Sequence, residues 1–254
     1  MTKNIVKNSI LYSILGVVFV FLLWGLLYII IANSYVLPSP FLVIKQGLLN
    51  LLNAEFYSHL LSTLLRVFIA LLISLVIGAL LAIISNTFTK FESAMLPIIS
   101  IIRSLPVLSV LLIILIAVPR GIAPIIVCVL SIMPIVYSQT LNYLHGVDNK
   151  QKQMLNIFGV PLKSQIFNVY LKGYLPLFIK ESTSLFSFSL KLIVSAEILA
   201  NVYKSIGGNI SNASIYSNVV ELFSLTLFVC LIGIIIELVG KFISYSMEKK
   251  YLWK

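Results

Sequence analysis

A few charged and hydroxylated side chains interrupt long apolar runs here, and any chemistry would have to come from them. Arg103 and Ser104 sit in "IIRSLPV", with Pro106 just beyond; Lys191 and Glu197 sit in "KLIVSAEIL"; Arg66 and Glu221 lie near the ends of two further runs. A charge carried into hydrocarbon costs several kcal/mol unless it is paired or wetted, so each such residue marks a pairing or a solute path. Arg103 has two readings. Pro106 frees a backbone carbonyl and can kink its helix, so a bent helix bearing an arginine could line an anion path. Alternatively, Arg103 pairs with Glu197 or a carbonyl and only fixes packing. Lys191 and Glu197 are six residues apart, about 240° around one helix, and do not share a face. Each must find a partner elsewhere or face a cavity. Arg66 and Glu221 are close enough to span ends to snorkel. Ser104, Ser109, Ser189 and Ser195 read as the small polar residues that let helices pack in lipid.

Other chemistries lack their residues. There is no G-x-x-x-x-G-K-[ST] loop to cradle ATP phosphates, and no G-x-S-x-G or H-E-x-x-H. His59 and His145 fall on opposite sides of the membrane in the topology below, so they form no shared metal or catalytic site. No cofactor is implied. Cys128 and Cys230 lie in apolar runs and read as small buried hydrophobes. Asn209-Ile-Ser211 and Asn212-Ala-Ser214 match the glycosylation triplet, which short loops meet by chance.

The elements that must position these residues are helices in lipid. The chain is 60% hydrophobic and only 10% charged, where soluble domains carry about 25% charged residues. A span needs about 20 apolar residues. Six segments qualify: residues 10–32, 60–85, 93–118, 121–144, 177–203 and 216–241. They are too long and unalternating for barrel strands. Twelve lysines fall on one face of this topology, whereas Lys45, Arg120 and Lys204 alone fall on the other. That bias puts both termini and the segment between spans four and five in the cytoplasm, and it gives the net charge of +10 a membrane meaning rather than a nucleic-acid one. Outside, Pro38 and Pro40 lead into a short helix along the membrane surface, bearing Leu42, Leu48, Leu49 and Leu52.

The cytoplasmic segment from His145 to Pro176 mixes polar and apolar residues. "DNKQKQMLNIF" is helix-compatible with Asp148 as cap; Gly159 ends that helix; Pro161 fits the first turn of a second. Leu162, Ile166, Val169 and Tyr170 then share one face. The pattern is a helix–glycine–helix elbow. It could lie on lipid headgroups or insert into a groove on a partner protein.

The chain resembles the permease subunits of binding-protein-dependent ABC importers, nearest the branch for nitrate, alkanesulfonate, taurine and thiamine-pyrimidine precursors. Gly159 matches the glycine of the family's cytoplasmic motif, with Asp148 eleven residues before it and Leu175–Pro176 at a second Leu-Pro. "HLLSTLLRVFIALLISLVIGALLAI" resembles its second-span opening, "MLPIISIIRSLPVLSVLLIIL" its third span and "VSAEILANVYKSIGGNI" the segment at the end of its fifth helix, with Glu197 and Gly207, and "YLWK" its tail. Gln153-Met154-Leu155 departs from the motif's E-A-A, and Lys172 stands where a first Leu-Pro would have its proline. The resemblance covers about residues 36–254.

What it implies is an all-α membrane protein, residues 1–254 forming one domain of six transmembrane helices. A coupling-helix elbow lies between helices 4 and 5. Leu155, Phe158, Gly159, Pro161, Leu162, Ile166 and Tyr170 would dock a cytoplasmic ATP-binding subunit, in two copies. A second permease copy, an identical one, would share the translocation path. An extracytoplasmic binding protein would deliver a small solute: an organic anion such as a sulfonate, nitrate, or a thiamine-pyrimidine precursor. Arg103, Ser104, Pro106, Lys191 and Glu197 are the path candidates. The location would be the bacterial plasma membrane. The competing reading is a secondary transporter driven by an ion gradient, using Glu197 and Lys191 at mid-membrane.

Overall fold

A computed structural model describes residues 2–146, 157–158, 161 and 172–251. All regular structure among them is helical: α1 (Thr2–Ile31), α2 (Pro40–Asn50), α3 (Ala54–Thr87), α4 (Thr89–Ser104), α5 (Val107–Ala117), α6 (Ala123–Gly146), α7 (Lys172–Ala200), α8 (Ile206–Ile215) and α9 (Val219–Tyr251). Four stretches, Ala54–Thr87, Ala123–Gly146, Phe178–Ala200 and Val219–Met247, are long and apolar enough to cross a bilayer. This is a multi-pass membrane protein.

The sequence leads one to expect six continuous spans, and the third is not continuous. Residues 93–118 break into α4 and α5, bent 91° apart. The cause is local. Pro106 cannot donate to the ladder and forces Leu105 out of the helical region: Leu105 sits at φ −68°, ψ 130° and closes α4 with an N–H bond to the Ile102 carbonyl. Pro106 then opens α5 as its N-cap residue. The described apolar part of α1, Leu15–Ile31, falls short of a full crossing.

The core is built on α3, α6, α7 and α9. Its packing follows small residues, because lipid offers no hydrophobic force to bring helices together and close backbone approach must do it. On α3, a methyl at Gly78 would lie 2.8 Å from the Val136 side chain and 2.9 Å from the Met133 carbonyl. Seven residues on, Ser85 and Tyr137 share a buried 2.9 Å hydrogen bond between their hydroxyls. Arg66 meets Gly121 at the other end, so α3 and α6 run parallel. α7 runs against α9: Ser187 Oγ donates to the Gly233 carbonyl at 2.7 Å, and Gly240 lies against Thr183. Val67, Leu71, Ile132, Leu190, Ile193 and Leu225 fill the space between. Cys128 is buried in this core, whereas Cys230 is exposed on α9, against expectation.

α2 carries the expected short helix outside the second span. Ser39 caps it, accepting from the Leu42 N–H, and Pro40 occupies the first turn. Leu42, Leu48, Leu49 and Leu52 face outward. The opposite face docks on α9: Val43 is buried, Gly47 approaches Ser224, and Asn50 Nδ2 donates to Glu221 Oε1 at 2.9 Å. Glu221 therefore ties two helices together rather than snorkelling free. Trp24 Nε1 donates to the Pro38 carbonyl at 3.1 Å, fixing the α1–α2 connection.

Candidate functional site

Glu197 lies near the end of α7 and is wholly buried. A carboxylate there needs partners on every side, and three elements supply them. From α3, Arg66 Nη1 donates to Oε1 at 2.8 Å, and Thr63 Oγ1 lies 3.2 and 3.0 Å from the two carboxylate oxygens. From α8, the Gly207 N–H donates to Oε2 at 3.2 Å. Thr63 Oγ1 also accepts from the Ile206 N–H at 3.0 Å. Arg66 spends a second donor on the Gly121 carbonyl, 3.2 Å away, in the turn before α6. One carboxylate thus pins α3, α7, α8 and the entry to α6 at the same end of the bundle.

This corrects the reading of Arg66 as a snorkelling residue and of Arg103 as a partner for Glu197. α3 begins at Ala54, so Arg66 stands three turns inside it, and its side chain is only 15% exposed. Arg103 is elsewhere, on α4.

α8 occupies what the sequence offers as a short loop, residues 204–215. Ser205 caps it, accepting from the Gly208 N–H at 2.8 Å and donating to the Val202 carbonyl at 2.9 Å. The free N–H groups of a helix N-terminus favour an anion, and Glu197 fills that seat. Glycine is required: a methyl at Gly207 would overlap the Glu197 side chain, and one at Gly208 the Val202 carbonyl. The chain enters and leaves α8 through helix-ending turns. Val202 N–H reaches back to the Glu197 carbonyl and Asn218 N–H to the Ala213 carbonyl, each around a left-handed residue, Asn201 at φ 46° and Ser217 at φ 54°. Asn209 Nδ2 and His59 Nδ1, 2.7 Å apart, add a second tie to α3. His145 lies at the opposite end of the bundle, 3.7 Å from Glu92.

The remaining path candidates are exposed. On α7, Ser184, Phe188, Lys191, Ser195 and Leu199 form one uncovered stripe, at the spacing of a single helix face. On α4, Ser93, Ser100 and Ser104 are exposed, each hydroxyl turned back to its own helix carbonyl. Arg103 Nη1 reaches Ser138 of α6 at 3.4 Å and is otherwise exposed. Among the described residues neither Arg103 nor Lys191 has an acid within ion-pair distance. Beside the α4–α5 break, Ile102, Leu105, Val110, Val127 and Ser131 line a small cleft. Of the docking candidates, Phe158 and Pro161 are exposed; Leu155, Gly159, Leu162, Ile166 and Tyr170 lie outside the described residues.

The sequence profile of the binding-protein-dependent transport system inner membrane components matches residues 74–252, more than half of the chain. The chain belongs to that family. Among solved structures, a chain from inward-facing conformations of the MetNI methionine ABC transporter superposes with a TM-score of 0.59 at 16% identity, over 75% of this chain and 93% of that one. At that identity the likeness is one of fold, and it accords with a helical transport permease. Comparison with curated protein sequences gives no match.

In this transport-system component, the pairing that sequence reasoning missed is Arg66 with Glu197, together with the Thr63 and Gly207 bonds around it. A signal was present: two opposite charges in two spans, both inside apolar runs, and a Gly-Gly pair just after a serine that can cap.

Proposed function

We propose that this chain is the membrane-spanning permease of an ATP-driven importer. It forms the translocation path for a small solute handed over by an external binding protein, while separate cytoplasmic ATP-binding subunits supply the work. The observation that carries this is the family match across residues 74–252, which takes in the elbow segment 155–170 and both uncovered cations. Ile157 and Phe158 are exposed apolar residues at that elbow, as a segment inserted into a partner groove requires. Six spans, with α1 as the first, are the reading of the apolar lengths; the lysine bias supports both termini in the cytoplasm, and the family resemblance supports a bacterial plasma membrane.

A second, identical copy closes the path. Lys191 stands near the midpoint of the apolar stretch Phe178–Ala200, on a face that is exposed among the described residues, and a mid-span ammonium cannot be left to lipid. The same argument applies to Arg103 beside the break at Pro106, with Ser104 as a further hydroxyl. Two cations and a set of serines on uncovered faces, with Glu197 itself buried, favour an anionic solute such as a sulfonate or nitrate.

The elbow gives the test. Gly159→Pro or Ile166→Asp is expected to abolish co-purification of the ATP-binding subunit while the permease still reaches the membrane. Pull-down at the wild-type level by either variant would overturn the reading.

A further inference from the structure

α7 presents two opposed faces in its last three turns. Glu197 is buried among Thr63, Arg66 and Gly207, while Lys191 and Ser195 lie on the uncovered stripe. Six residues at 100° each place Glu197 about 240° from Lys191, so seating the carboxylate inward turns the ammonium outward.

We propose that Thr63, Arg66 and Glu197 are positioning residues: they set the rotation of α7 about its own axis and thereby point Lys191 and Ser195 at the solute path. The path itself rests on the permease reading above. The reason is the solvent. Hydrocarbon is as apolar as a leucine face, so burying apolar side chains selects a helix rotation weakly in a bilayer. α7 is apolar well beyond its buried stripe, with Phe186 and Leu192 partly covered and Phe188 and Leu199 exposed. Polar bonds do select a rotation. Turning α7 by one residue withdraws Glu197 from Arg66, from Thr63 and from the Gly207 N–H together, in a place where no water replaces them. Ser187, bonded to Gly233, pins the other half of the helix in the same manner. α7 is one continuous helix from Lys172 to Ala200, so a turn at Glu197 carries Lys191 and Ser195 with it, and Ser187 opposes the same turn nearer Ser184.

The test reads that rotation directly in the full chain in its own membranes. Cys128 and Cys230 are replaced by alanine, and single cysteines are placed at Ser184, Ser195 or Ile198. Labelling rates with a membrane-impermeant maleimide are then compared. The variant is the pair Arg66→Met with Glu197→Ala, which removes both charges and leaves neither orphaned. Thr63→Val, which leaves the ion pair in place, is the second arm. In the paired variant, labelling at position 195 is expected to fall several-fold and labelling at 198 to rise, with 184 falling in the same sense as 195 but by less, because Ser187 still holds to Gly233; Thr63→Val is expected to shift the same way by less. An unchanged pattern in both arms, or one common factor at all three positions, would overturn the proposal and leave these residues with a purely stabilising role. Failure of the permease reading shows separately, as loss of any co-purifying ATP-binding subunit from the unmutated chain.

Discussion

The junction of α3, α7 and α8 and the break between α4 and α5 each carry an arginine inside an apolar run, and the two arginines meet opposite fates. Arg66 reaches the buried Glu197 at 2.8 Å and the Gly121 carbonyl at 3.2 Å. Arg103 has Ser138 at 3.4 Å and is otherwise open. The backbone differs in the same sense. Around Glu197 the helix ends are capped, turned and satisfied; around Arg103 the helix is severed by Pro106 and bent 91°. The first region spends its polar groups on one another and becomes rigid. The second leaves Arg103 and Ser104 uncovered.

Three experiments would break or sharpen this contrast. Arg66→Ala leaves Glu197 buried without its cation, which costs about 3–5 kcal/mol. Thermal unfolding of the purified chain in detergent is expected to show that loss, against a change within about 0.5 kcal/mol for the exposed Arg103→Ala; equal losses would erase the distinction. Gly207→Val drives side-chain atoms into Glu197, an overpacking worth about 1–3 kcal/mol, while Gly121→Ala, with nothing within 4 Å of its added methyl, is expected to be silent in the same assay. Pro106→Ala restores a backbone donor and lets α4 run on into α5. Its stability is expected to change by less than about 1 kcal/mol, but a spin-label distance between positions 93 and 116 is expected to lengthen. An unchanged distance would mean that packing, not the proline, sets the bend.

Much of the bundle was legible because a bilayer demands long apolar helices: residues 60–85, 121–144 and 216–241 announce themselves by length, and 177–203 does so less clearly because Lys180, Glu181, Lys191 and Glu197 lower its hydropathy. The opposed faces of Lys191 and Glu197 also follow from spacing. Arg66 was misread because the apolar run begins at Leu60 while the helix begins at Ala54; polar residues in its first turn hid how deep the arginine lies. α8 was hidden by its letters: Gly207, Gly208, Asn209 and Asn212 are turn formers, and tertiary contact with Glu197 turns them into a helix. Pro106 signalled a kink and disfavours a helical Leu105, but how far α5 swings after that residue, here 91°, depends on packing that no local pattern gives. The pairing of Arg66 with Glu197 spans 131 residues, a separation that no local pattern can reveal.

That separation also has a consequence for biogenesis. Ribosomes add roughly 5–20 residues per second, so Arg66 enters the bilayer on the order of ten seconds before its counter-ion has been translated. During that interval the guanidinium must be accommodated by water or headgroups drawn toward it. The newborn α7 then arrives as the missing half of a lock already waiting in the membrane.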